Sequence, residues 1–286
     1  LSRMRPRRKP GRSRFSVATL ALAVIVLNMG WQGAILAYTA TAVVFAFASL
    51  WFLKLSNYLQ WTWHGIYART ITYYSVPIAI HGLFWSLASL SDRFFISHWE
   101  GLKDVALYSL GYQLATVIMI VQDSFNKAWV PVFFEKLKSA GESDKRNLVR
   151  ITYLYMVGLV TLTVLYILGL PFVMKAIFPA HYLVASKYIA WISAGFVLNG
   201  AYKMLVPYIF YHHTTRSLPW LTAIAVTTNI GLNFILIPKV GAMGAAYAAV
   251  VSQAVAVVVT WYGAQKAYPM PWLLRKQNAY PGNGRP

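Results

Sequence analysis

Six side chains that can carry or pass charge lie inside long apolar runs: His81, Asp92, Arg93, Asp123, Lys127 and Lys203. A charge at the centre of a bilayer costs roughly 2.5–3.5 kcal/mol, so a chain keeps one there only where it faces protein or a water-filled path. Asp123 and Lys127 are four apart with the acid first, the order that favours an ion pair across one helical turn. That spacing predicts a structural pair near the cytoplasmic interface first and a substrate contact second. Asp92 adjoins Arg93 but points about 100° around a helix from it, so the two need not pair. Asp92 is read as a structural residue that caps or bridges helices, with cation coupling as the other role. Arg93 either faces a cavity or snorkels to the nearby interface. Lys203 has no acidic residue between positions 198 and 208, so it needs a partner elsewhere or an anion in a cavity. His81 follows Pro77 by one turn and reads as a helix-bending or hydrogen-bonding position rather than a proton carrier. Pro77 and Pro207 are candidate hinges, because neighbouring groups in a bundle can satisfy the backbone that proline frees.

These residues must be positioned by membrane helices. The chain has 286 residues, of which 58% are hydrophobic and 12% charged. Soluble domains sit near 45–50% apolar and about 25% charged. Eight apolar segments follow one another at 15–30, 33–53, 76–97, 105–130, 148–170, 183–210, 218–237 and 241–264. A span takes about 20 residues. The sixth is long enough to be tilted, or broken near Gly200 or Pro207. The fold expected is all-α, a polytopic membrane bundle of about eight transmembrane helices.

Loop charge sets the orientation. With the N-terminus inside, the inner segments hold 19 of the 26 Lys and Arg, the outer loops hold four, and Arg93, Lys127 and Lys203 lie within spans. Positive residues collect on the cytoplasmic side, so both termini are expected there. The same rule explains the net charge of +19 without nucleic acid as a partner. No cysteine is present, which removes disulfides, thiol catalysis and cysteine-bound metal. No cofactor or metal site is expected. Residues 1–14 read as a basic cytoplasmic segment, 15–55 as a hairpin and 56–71 as a connection. Residues 72–265 read as six helices, and 266–286 as a flexible tail.

Two turns look alike. Gly30-Trp-Gln-Gly33-Ala34 and Gly241-Ala-Met-Gly244-Ala245 stand 211 residues apart, each ahead of an Ala-rich helix. Six spans separate the copies, as in transporters built from two parallel six-helix lobes.

Several stretches then carry a resemblance. They are Asn229-x3-Asn233 with Ile237-Pro238-x2-Gly241-x2-Gly244-Ala245, and Pro77-x3-His81-Gly82 with Ser91-Asp92-Arg93-Phe94-Phe95. Leu107-Tyr108-Ser109-x-Gly111-Tyr112 and Ser124-Phe125-Asn126-x-Ala128-Trp129-x-Pro131 complete the set. Over residues 15–265 their order and spacing resemble polysaccharide flippases of the multidrug/oligosaccharidyl-lipid/polysaccharide exporter superfamily, the O-antigen-unit type in particular. That resemblance implies the last hairpin of one lobe plus a complete six-helix lobe, with four earlier helices missing from the chain. It implies a non-enzymatic transporter in the bacterial inner membrane that moves undecaprenyl-pyrophosphate-linked oligosaccharide by alternating access. Arg93, Lys203 and Lys127 would then be cavity cations for the pyrophosphate, since an Arg fork suits a diphosphate. Membrane lipid and polysaccharide polymerase or assembly proteins are the implied partners. A multidrug exporter of the same superfamily is the alternative. A membrane-embedded glycosyltransferase or ligase ranks lower, because the longest outer loop, 171–182, has no carboxylate.

Overall fold

The structure, a computed structural model, describes residues 30–58, 64–138, 141–211 and 218–272. The expected first segment, 15–30, lies essentially outside them. The chain is an all-α polytopic membrane protein. The helices are α1 (Gly30–Leu55), α2 (Gly65–Trp99), α3 (Leu102–Lys138), α4 (Glu142–Ile177), α5 (Ser186–Tyr211), α6 (Leu218–Val240) and α7 (Met243–Ala267). Among the described residues six helices, all but α2, are long and apolar enough to cross a bilayer. α2 has the length, at about 1.5 Å per residue, but Ser86, Ser89, Ser91, Asp92 and Arg93 dilute its apolar run.

The chain divides into two units, residues 1–68 and 69–286. In the first, α1 buries Gly33, Ala37 and Thr41, one small residue per turn. Gly30 to Gly33 form the opening turn of α1 rather than the loop expected there.

In the second unit α5 is the central helix, packed against α3, α4 and α7, while α6 and α7 form a tight hairpin. The reason is legible on α7. Gly244, Ala248, Ser252, Ala256, Thr260 and Ala264 recur every fourth residue and are all buried. Small residues at that spacing let membrane helices approach closely, where dispersion and packing drive association. The hairpin turns at Gly241, whose φ of +67° suits glycine. A Cβ on Gly244 would sit 2.6 Å from the Leu236 carbonyl carbon, inside the backbone of α6. Gly244→Ala should therefore cost about 1–3 kcal/mol as an overpacked contact. Gly231→Ala, where a methyl would meet nothing within 4 Å, should be neutral or stabilising by about 0.5–1 kcal/mol. Thermal unfolding in detergent checks this, and equal melting of the two variants would contradict it.

Two expectations are corrected. The sixth segment breaks neither at Gly200 nor at Pro207. After Pro179 it begins as a 3₁₀ turn, Ala180–Ala185, and then runs as one α-helix to Tyr211. The tail also starts packed. Met270 is 4% exposed, its N–H and the Trp272 indole N–H donate to Gln265 Oε1 at 3.0 and 2.8 Å, and Tyr153 donates to the Trp272 carbonyl at 2.9 Å. The rings of Tyr208, Tyr268 and Trp272 meet at about 6 Å. Residues 273–286 lie outside the described residues.

The core has two apolar clusters, one at each end of the lobe. One gathers Ile96, Ile118, Ile189 and Ile237; the other gathers Trp129, Phe133, Tyr208 and Leu218. Between them α2, α3, α5, α6 and α7 carry polar residues: Ser89 and Asp92, Gln122 and Asn126, Asn199, Asn229 and Asn233, Ser252 and Gln253. A polar layer thus crosses the middle of an apolar bundle.

Candidate functional site: a polar layer beside an apolar cavity

α2 stands off from the bundle. Its backbone makes no close approach like those between the other helices, and polar side chains bridge the gap. Buried Asp92 accepts from Asn233 Nδ2 at 2.7 Å and from the Tyr108 hydroxyl at 3.1 Å, tying α2 to α6 and α3. Asn233 also donates to Asn229 Oδ1 at 3.3 Å, and Ser91 reaches the same oxygen at 3.3 Å. A small cavity of ≈ 80 Å³ adjoins this network, lined in part by Asp92, Ser89, Tyr112, Asn229 and Gln253. It is wide enough for a few waters, each needing two to four polar partners.

His81 makes the second bridge. The Thr222 hydroxyl donates to the Leu218 carbonyl at 2.8 Å, so it accepts from His81 Nδ1. Nε2 is left to accept from the Tyr202 hydroxyl at 3.3 Å. Those roles assign the Nδ1–H tautomer. Both ring nitrogens are used in joining α2 to α6 and α5.

Below His81 the gap widens into a cavity of ≈ 700 Å³. One face of α2 (Thr70, Tyr74, Ile78, His81), one face of α3 (Asn126, Val130, Phe134) and the second half of α5 line it. It lies where α3 and α5 end, at the end of the unit where Lys136 and Lys138 close α3 and Lys145, Arg146 and Arg150 lie in the first turns of α4. Its wall is mainly apolar, with Lys203 as the charged lining residue. The buried Asn126 Oδ1 accepts no hydrogen bond among the described residues. Pro207 is itself in the wall and Pro77 neighbours it, each inside an unbroken helix.

Charge pairing differs from the local expectation. Asp123 binds Lys203 of α5 rather than Lys127 of its own helix. Lys203 thereby finds the partner elsewhere that its sequence neighbourhood lacked. Lys127 is exposed and lines neither of these two cavities. Arg93 donates from one guanidinium nitrogen to the Ser89 carbonyl and hydroxyl, both at 2.8 Å, and lies 5.2 Å from the Tyr112 ring centroid. Twelve residues beyond His81, it is about 18 Å further along α2, beside the small cavity. Arg93 and Lys203 are therefore not brought together.

Sequence reasoning missed Asn229, Asn233, Tyr108, Tyr202 and Thr222 as partners. The signal available was the Asn-x3-Asn spacing, which puts two amides on one face of an otherwise apolar helix.

Comparison with known proteins fits this architecture. A family profile described as "Polysaccharide biosynthesis protein" matches residues 12–137. The chain is 28% identical over 149 residues to an uncharacterized membrane protein of Haemophilus influenzae, covering 49% of this chain and 34% of that one. It is 26% identical over 243 residues to protein 1 of the Lsg locus of the same organism, covering 80% of this chain and 59% of that one. The chain thus spans about a third and three-fifths of these curated relatives. No solved structure matches it. The matches support a membrane protein of the polysaccharide-biosynthesis type.

Proposed function

We propose that this protein is part of a flippase that carries polyprenyl-pyrophosphate-linked oligosaccharide across the bacterial inner membrane. The observation that carries the reading is the ≈ 700 Å³ cavity, with apolar walls and Lys203 set among them. An apolar wall accepts a prenyl chain without hydrogen-bond loss. An ammonium offsets part of the hydration that a phosphate gives up on leaving water. Tyr202, His81 and Asn126 supply groups for sugar hydroxyls. The cavity lies at the end of the lobe where basic helix ends cluster, the end expected to face the cytoplasm and to load substrate. Bending at Pro77 and Pro207, both at its level, would open and close it. Arg93 would meet the anion further along the path, and Asp92 would hold α2 in register or couple a cation. A multidrug exporter is less well supported, because the lining charge is cationic and Asp123 is already paired.

Deleting the gene in its own bacterium tests the proposal. Lipid-linked oligosaccharide should accumulate on the inner leaflet while surface polysaccharide falls, and the native gene should restore both. Unchanged surface polysaccharide with no accumulated intermediate would sink it.

A further inference from the structure

We propose that Asp123 competes with the incoming anion for Lys203, and that it passes to Lys127 when a phosphate-bearing lipid enters the cavity. The idea rests on the cavity reading above and adds how the site selects its ligand.

Four observations carry it. First, Lys203 lines the cavity whereas Asp123 does not, so the pair holds the ammonium from behind. Second, the Asp123 side chain is 40% exposed against 21% for Lys203, which leaves the carboxylate room to swing away from the ammonium. Third, Lys127 is exposed one turn further along α3, in the orientation that favours an acid-to-base pair, and makes no ion pair among the described residues. Fourth, the unpartnered Asn126 Oδ1 lines the same cavity. An ammonium has three N–H donors, so Lys203 released from Asp123 can serve both this oxygen and a phosphate.

The exchange never strands a charge in the apolar region. At rest Lys203 is paired and the spare cation, Lys127, stands exposed. With ligand bound, Lys203 meets the phosphate and Asp123 meets Lys127. Stranding either half of the Asp123–Lys203 pair would cost far more than exchanging partners. The selection rule follows. A neutral prenyl alcohol fits the apolar wall but cannot displace Asp123, whereas a prenyl phosphate or pyrophosphate can. Asp123 is thus a positioning and specificity residue.

The test is a binding titration of the purified 286-residue protein in detergent with geranylgeranyl pyrophosphate. Geranylgeraniol and inorganic pyrophosphate serve as comparison ligands, and circular dichroism confirms the helical fold of each variant. Asp123→Asn should bind geranylgeranyl pyrophosphate roughly fivefold more tightly, the scale of one removed ion pair. Asp123→Ser is the second neutral variant should the amide disturb α3. Lys127→Gln should bind about two- to threefold more weakly. Combined with Asp123→Asn, it should have no further effect, because no carboxylate remains to be received. If the Lys127 effect persists in that background, Lys127 touches ligand directly and the exchange is overturned. The exchange alone also fails if Lys203→Gln weakens binding but Asp123→Asn and Asp123→Ser do not tighten it. Wild-type affinity in Lys203→Gln, or no binding by the wild type, would sink the cavity reading itself. Inorganic pyrophosphate bound as tightly as the prenyl ester would overturn the assignment to a lipid-borne phosphate.

Discussion

Asp92→Ala should destabilise the six-helix unit by about 2–6 kcal/mol, the sum of two orphaned donors at roughly 1–3 kcal/mol each. Asn233 Nδ2 and the Tyr108 hydroxyl both end on this carboxylate, and Tyr108 is 1% exposed, so a replacement partner would have to be a water held in the small adjoining cavity. Hydrogen bonds between membrane helices average nearer 0.6 kcal/mol, because the separated helices find other partners. This site belongs at the upper end, since α2 approaches its neighbours through such side chains rather than through close backbone packing. Asp92→Asn keeps one acceptor and should lose about half as much. Thermal unfolding of the purified variants in detergent measures the series. An Asp92→Ala protein that melts with the wild type would show that the network holds nothing in place.

Lys203→Ala should reduce delivery of lipid-linked glycan about tenfold or more at matched protein levels, the scale of one lost charge-assisted contact in a site of low dielectric. Arg93→Ala should reduce it too. Arg93→Lys should recover part, because lysine keeps the charge but lacks the planar fork that Arg93 holds 5.2 Å from the Tyr112 ring centroid. The Arg93 changes should not impair insertion, since each removes or keeps a charge that is costly in lipid. The readout is surface glycan from a deletion strain carrying each variant of the native gene. Delivery at the wild-type level by both alanine variants would mean that the two cations serve only the fold.

The helices were legible because burial in lipid demands long apolar runs, and seven of the eight expected segments fall in described helices. So was the strain on the charges. Asp92 had to find partners inside the protein, and it did. Its partners were not legible, because Asn233 lies 141 positions away and only the α2–α6 juxtaposition brings it within 2.7 Å. The choice of Asp123 between Lys127 and Lys203 was hidden for the same reason: helical spacing ranks local partners and is silent on α5. Arg93 illustrates a third limit. Its position within an apolar segment was clear, yet its direction along α2 was set by Ser89 one turn back and the Tyr112 ring on α3. The tail misled because Pro and Gly speak for turns, while its anchoring came from Tyr153, Tyr208 and Gln265 on three separate helices.

Transport itself is the claim to test most directly. The native protein, reconstituted in liposomes with a polyprenyl-pyrophosphate-linked oligosaccharide confined to the inner leaflet, should expose the sugar to a glycosidase added outside. Protein-free liposomes, and liposomes carrying the Lys203→Ala protein, should keep it protected. Sugar that stays protected in the presence of correctly folded native protein, whatever ion gradient is imposed, would contradict the flippase reading.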